Sequence, residues 1–108
     1  MSGEVNPVPE GFHTVTPYVT IGGAYEAIEF YKEAFGAEEI FRWADPDGRV
    51  RHAEVVIGDS PIMLTDEVPD FGMYGPRSLG GSPVHMFLYV EGLSREDLQR
   101  RYDAATNQ

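Results

Sequence analysis

The sequence predicts an α+β domain in which a βαβββ unit, residues 14–67, is followed by a second strand and helix within residues 84–108. Three observations predict it. The stretch "AIEFYKEAFG" (27–36) has helical periodicity and ends on glycine. Strand-like runs on its C-terminal side are separated by the turn sequences "DPDG" (45–48) and "GDSP" (58–61). A Gly- and Pro-rich segment then divides this unit from a second strand-then-helix pattern.

The elements follow in order. Residues 1–13 form a loose arm rich in proline and glycine, and His13 within it is assigned no role. "TVTPYVTI" (14–21) is β-branched and aromatic, and Pro17 inside it calls for a sheet edge or a bulge. Gly22 and Gly23 turn the chain into a helix. Along it Ala24, Ala27, Ile28, Tyr31, Ala34 and Phe35 recur at three- and four-residue steps, which makes one apolar stripe opposite Glu26, Glu29, Lys32 and Glu33. Gly36 suits the left-handed residue that stops a helix. "EEIFRWA" (38–44), "RVRHAEVVI" (49–57) and "IMLTDE" (62–67) are the next three strands, the first two forming a hairpin through "DPDG". Residues 68–83, with three prolines and four glycines, are expected to be an irregular linker or lid. "VHMFLYV" (84–90) is a strand again, and Ser94 caps a helix from about residue 95 to 105.

Composition narrows the function. A chain of 108 residues with 42% hydrophobic content supports one small domain. Its net charge of −10 disfavours nucleic acid and anionic membranes as partners, since both need clustered cations. The absence of cysteine removes disulfide and thiolate chemistry. The first dozen residues lack the pattern of a secretory signal, and the longest apolar run is too short to span a bilayer, so a cytoplasmic protein is expected. Laying "TPYVTIGG" (16–23) on "HMFLYVEG" (85–92), an offset of 69 residues, matches Val19 with Leu88, Ile21 with Val90 and Gly23 with Gly92. This pattern suggests a duplication whose second copy stops after its helix.

Period-two reading sorts the strand residues onto two faces. If Val19 and Ile21 meet the helix, then Ala53, Val55 and Ile57 do too. Tyr18, Phe41, Trp43, His52, Glu54, Met63 and Thr65 then share the opposite face, with His85, Phe87 and Tyr89 placed there from the second strand. An aromatic face with a few polar groups suits a planar or partly apolar small molecule, and Tyr18, Phe41, Trp43, His52, Glu54, Phe87 and Tyr89 are its candidate contacts. The plainer reading is that these aromatics close a small core. His52 and Glu54, two residues apart on one strand, point the same way and could share a proton, which makes them the candidate catalytic pair. The alternative is a solvated histidine beside a glutamate.

The helix "AIEFYKEAFGA" together with "HAEVVIGDSPIMLTDE" (52–67) resembles the vicinal oxygen chelate superfamily of glyoxalases, bleomycin-resistance proteins and extradiol dioxygenases, and within it the PhnB-like branch. The resemblance implies paired βαβββ modules whose sheets close an incomplete barrel around a divalent metal ion or a small-molecule ligand, commonly in a homodimer. It also implies one metal ligand near the start of each module's first strand. Here that position is Thr16, a poor ligand, and by the 69-residue offset His85, a good one. The expectation is therefore a lyase, isomerase or dioxygenase-type enzyme in its complete form. The alternatives are a metal-free drug- or toxin-binding protein and a truncated fragment that is inactive.

Overall fold

The computed structural model describes residues 7–90 together with 96, 97, 99 and 100. One mixed sheet organises it. Strands β1 (Tyr18–Thr20), β2 (Glu38–Ala44), β3 (Val50–Ile57) and β4 (Ser60–Thr65) lie in the order β1-β4-β3-β2, and helix α1 (Ala24–Phe35) connects β1 to β2 across one face. β1 runs parallel to β4, whereas β4–β3 and β3–β2 are antiparallel. The predicted βαβββ order is observed.

Each element has a local cause. The apolar stripe of α1 lies on the sheet: Ala24, Ala27 and Ile28 pack with Ala53, Val55, Ile57, Ile62 and Leu64 in the core, and Val19, Ile21, Tyr31 and Phe35 border it. Gly36 takes the left-handed conformation at φ 68° and donates its N–H to the Lys32 carbonyl, so the helix stops where the glycine predicts. At "DPDG" the Asp45 N–H bonds Arg49 O at 2.9 Å and the Gly48 N–H bonds Asp45 O at 2.8 Å, closing the β2–β3 hairpin. Along β2 the helix-facing residues are charged. Arg42 holds Glu39 at 2.7 Å and stacks its guanidinium 5.0 Å from the Tyr25 ring centre, while Lys32 reaches Glu39 at 2.7 Å. Burial works against ionisation of Glu39, but hydrogen bonds from Arg42 and Lys32 outweigh it and hold this carboxyl below its ordinary range.

Three expectations about the elements are corrected. The first strand is three residues long and does not run from 14 to 21. Pro17 has no N–H to give, its carbonyl accepts from Met63 N at 2.9 Å, and the parallel ladder begins only at Tyr18; β1 does lie at the sheet edge, as Pro17 requires. The segment 68–83 is not wholly irregular: it holds a 3₁₀ turn, Pro69–Phe71, and a one-turn helix α2, Pro76–Leu79. Both begin on proline and end on a left-handed glycine, Gly72 or Gly80. Residues 84–90 form no strand. Leu88 packs at the border of the core, but no strand ladder engages the segment. Most of the helix expected at 95–105 lies outside the described residues. No helix among the described residues is long and apolar enough to cross a membrane.

Candidate functional site

Because β3 alternates strictly, burying Ala53 and Val55 under α1 turns His52 and Glu54 to the opposite face. Strand register brings the remaining face residues to them. Tyr18 pairs with Met63, Met63 with Glu54 and Glu54 with Phe41, so one row crosses all four strands, and Trp43 stands opposite His52 in the next row. The His52 ring lies edge-on to Tyr18 at 5.8 Å and tilted against Phe41 at 6.1 Å. Its Nε2 is 3.1 Å from Glu54 Oε2, with both side chains about a quarter exposed.

This geometry fixes what the pair can do. An ionised Glu54 only accepts, so the proton of the shared bond sits on His52 Nε2, and Nδ1 becomes the basic nitrogen of the neutral ring. The carboxylate orients the imidazole, and the flanking aromatic rings limit water around it. Trp43 remains 61% exposed and Phe41 49%, so the face is open and apolar around a polar centre.

Five of the predicted contacts therefore meet on one face: Tyr18, Phe41, Trp43, His52 and Glu54. Thr65, predicted on the same face, is buried and gives its hydroxyl to Asp66 O at 2.9 Å. Phe87 and Tyr89 are not brought to this group. Their rings lie tilted against each other at 5.2 Å and line a separate recess with Pro17, Gly58 and Asp59, because the strand that would have carried them across the sheet does not form. His85 is exposed on the same irregular segment.

Sequence reasoning missed the arm. Phe12, His13, Thr14 and Thr16 share a cavity of about 590 Å³ with Glu54 and Met63, and His13 Nε2 lies 3.3 Å from Asp59 O. The arm thus walls the site beside Glu54. It has no periodicity to announce this, since it is held by turns and single bonds such as Phe12 N–H to Pro9 O at 3.0 Å.

Two acids at the end of β4 do structural work. Asp66 Oδ1 accepts from the Gly23 and Ala24 N–H groups, each at 3.0 Å, and Oδ2 accepts from Val50 N at 2.8 Å, so one carboxylate caps α1 and ties it to β3. Glu67 Oε2 accepts from Gly75 N at 2.7 Å. The Ser78 hydroxyl first and the Gly75 amide second hold the Glu67 carboxyl below its ordinary range. Both acids line a cleft of about 760 Å³ near Gly22 and Arg49, where these bonds already engage them.

A divalent metal needs three or four protein ligands to offset its dehydration. Among the described residues no group of three or more His, Asp or Glu side chains is placed to hold one.

Comparison with known proteins places the module. Residues 18–67 match the glyoxalase At5g48480-like N-terminal domain family. Uncharacterized proteins of Mycobacterium bovis and Mycobacterium tuberculosis are 37% identical over 98 residues; the alignments cover 86% of this chain but 60% and 54% of those relatives. The chain thus spans somewhat more than half the length of the curated relatives it matches. The fosfomycin resistance protein FosX of Listeria monocytogenes shares the fold at a TM-score of 0.60 and 14% identity, over 85% of this chain and 68% of FosX. A FosX variant complexed with Mn(II) and a dihydroxypropylphosphonic acid aligns at a TM-score of 0.51 and 13% identity. Residues 18–67, which hold β1 to β4, are thus similar to the glyoxalase At5g48480-like N-terminal domain, and the chain shares its fold with FosX.

Proposed function

We propose that the open sheet face contributes to a small-molecule site in which His52 and Glu54 handle a proton and Tyr18, Phe41 and Trp43 hold a planar or partly apolar ligand. The observation that carries this reading is the 3.1 Å His52–Glu54 bond standing between aromatic rings on the face turned away from the helix. Proton transfer through His52 Nδ1 is the chemistry of lyases and isomerases, and the same pair serves equally to fix a ligand's hydrogen-bonding group. His85 keeps its place as the family-position ligand only in a site completed from elsewhere. The reading divides the chain into the module at 14–67, a connector at 68–83 and the start of a second module at 84–108, PhnB-like in its helix sequence. The missing half of the barrel comes from a second module, in a homodimer or in a longer chain. The open face and the partial coverage of the mycobacterial relatives support this.

Trp43 is the chain's one tryptophan, so its emission reports on this face. Titrating the protein with a panel of planar aromatic acids, ketones and phenols should find ligands that quench it. Both His52→Ala and Glu54→Gln should weaken such binding by about tenfold, the loss of roughly one charge-assisted hydrogen bond. Quenching that neither substitution alters would overturn the reading.

A further inference from the structure

One cavity differs in chemistry from the rest of the surface. Between β1 and the strap formed by residues 74–86 lies a space of about 680 Å³. β1, the residue after it and α1 supply Val19, Ile21 and Tyr31, and the strap supplies Tyr74, Leu79 and Met86. None of the residues lining it is charged, in a chain that is 24% charged and carries a net −10. Side-chain collapse is not what shapes it. The strap is set down at Gly75, where a Cβ would lie 2.9 Å from Gly22 N and 3.1 Å from Ile21 Cα, and where Glu67 grips the Gly75 amide.

We propose that this cavity is a second binding site, for a neutral, mainly apolar, ring-containing small molecule. The volume falls within the roughly 300–1,000 Å³ of small-molecule pockets, and the pocket is formed before any ligand arrives. A charged ligand would lose its hydration with no counter-charge to meet it, and an anion would also approach against the protein's own field. A neutral ring loses only unfavourable apolar hydration and finds the rings of Tyr18, Tyr31 and Tyr74 for edge or stacked contact. Burial pushes the Tyr31 hydroxyl up, so it adds no charge at neutral pH. Tyr74, Leu79 and Met86 leave much of their apolar surface in water, and contiguous exposure of this kind marks a binding surface.

The test uses N-phenyl-1-naphthylamine, a neutral fluorescent probe, titrated into the full chain. Saturable binding of one probe per chain is expected, and the sulfonated analogue 8-anilinonaphthalene-1-sulfonate should bind about tenfold more weakly. Leu79→Asp with Val84→Asp changes two exposed positions, so the fold is retained by circular dichroism while probe affinity falls by about tenfold or more. Trp43→Ala, which strips the sheet face, leaves probe binding in place. Three results would overturn the proposal: affinity unchanged in the double variant, loss of binding in Trp43→Ala instead, or binding that follows dissociation of a dimer in sedimentation, which would make the groove a contact between two copies.

Discussion

Two stretches of this chain are written in the same vocabulary and meet different fates. "VRHAEVVI" (50–57) and "VHMFLYV" (84–90) are both rich in β-branched and aromatic residues. The first becomes β3, hydrogen-bonded on both sides to β2 and β4, with Val50, Ala53, Val55 and Ile57 buried. The second has no ladder and leaves Val84, Phe87 and Tyr89 largely exposed. Strand propensity describes a residue that fits a pleated, half-covered surface; it does not supply the neighbouring backbone that must accept and donate the hydrogen bonds. β3 finds that neighbour through the short turns on either side of it, residues 45–49 and 58–59. Residues 84–90 have no hairpin partner on either side in the described structure, and the strap before them follows the edge of the sheet without joining it.

The largest expected effect sharpens this contrast. Leu64 is fully buried in β4, in register between Val19 and Ala53. Leu64→Ala should destabilise the fold by about 3–4 kcal/mol, as transfer and cavity terms add. Tyr89 is 92% exposed, and Tyr89→Ala should stay within about 0.5 kcal/mol. Urea unfolding of the two variants measures both. A comparable loss for Tyr89→Ala would mean that the second stretch is packed after all, and the comparison would fail.

Next in size is Asp66→Ala, which leaves the amides of Gly23, Ala24 and Val50 without their shared acceptor. Loss of a helix cap together with a tie to β3 should cost about 2 kcal/mol, read in the same unfolding experiment, with Asp66→Asn recovering part of it. Asp66 also shows where sequence reading stops. The stripe and stop of α1, the "DPDG" hairpin and the two faces of β3 were legible because each is a local relation of spacing or turn chemistry. The cap of α1 comes from a residue 42 positions further along the chain, so no window around Gly23 contains it. The sheet face of the site was readable for the same local reason, through alternation, while the arm around His13 was not, because it is held by isolated turns and single bonds that leave no periodicity.

Gly75→Ala should cost about 1–2 kcal/mol. Gly75 has an ordinary φ of −81°, so the penalty is the 2.9 Å approach of the new Cβ to the Gly22 backbone and not conformational strain. It should also loosen the strap, seen as faster amide exchange at Gly75 and Leu79, whose N–H bonds Gly75 O at 3.1 Å. Neutrality of this variant would mean that the strap does not rest on the sheet's glycine turn.

The smallest expected effect is a pH dependence in Glu67→Gln. In the folded chain the Ser78 hydroxyl and the Gly75 amide hold the Glu67 carboxyl below its ordinary value of 4.5, with Arg49 assisting and Asp66 opposing. A carboxyl depressed on folding adds stability that is fully present above the unfolded value and is lost as pH falls through the lower folded one. Glutamine keeps an acceptor oxygen but has no proton to bind. The stability gap between the native chain and Glu67→Gln should therefore be constant from neutral pH down to about 5 and then shrink on further acidification. Denaturant midpoints measured across that range test it. A gap that stays constant to about pH 2.5, or that widens on acidification, would show that Glu67 grips the strap by shape alone and that its charge contributes nothing.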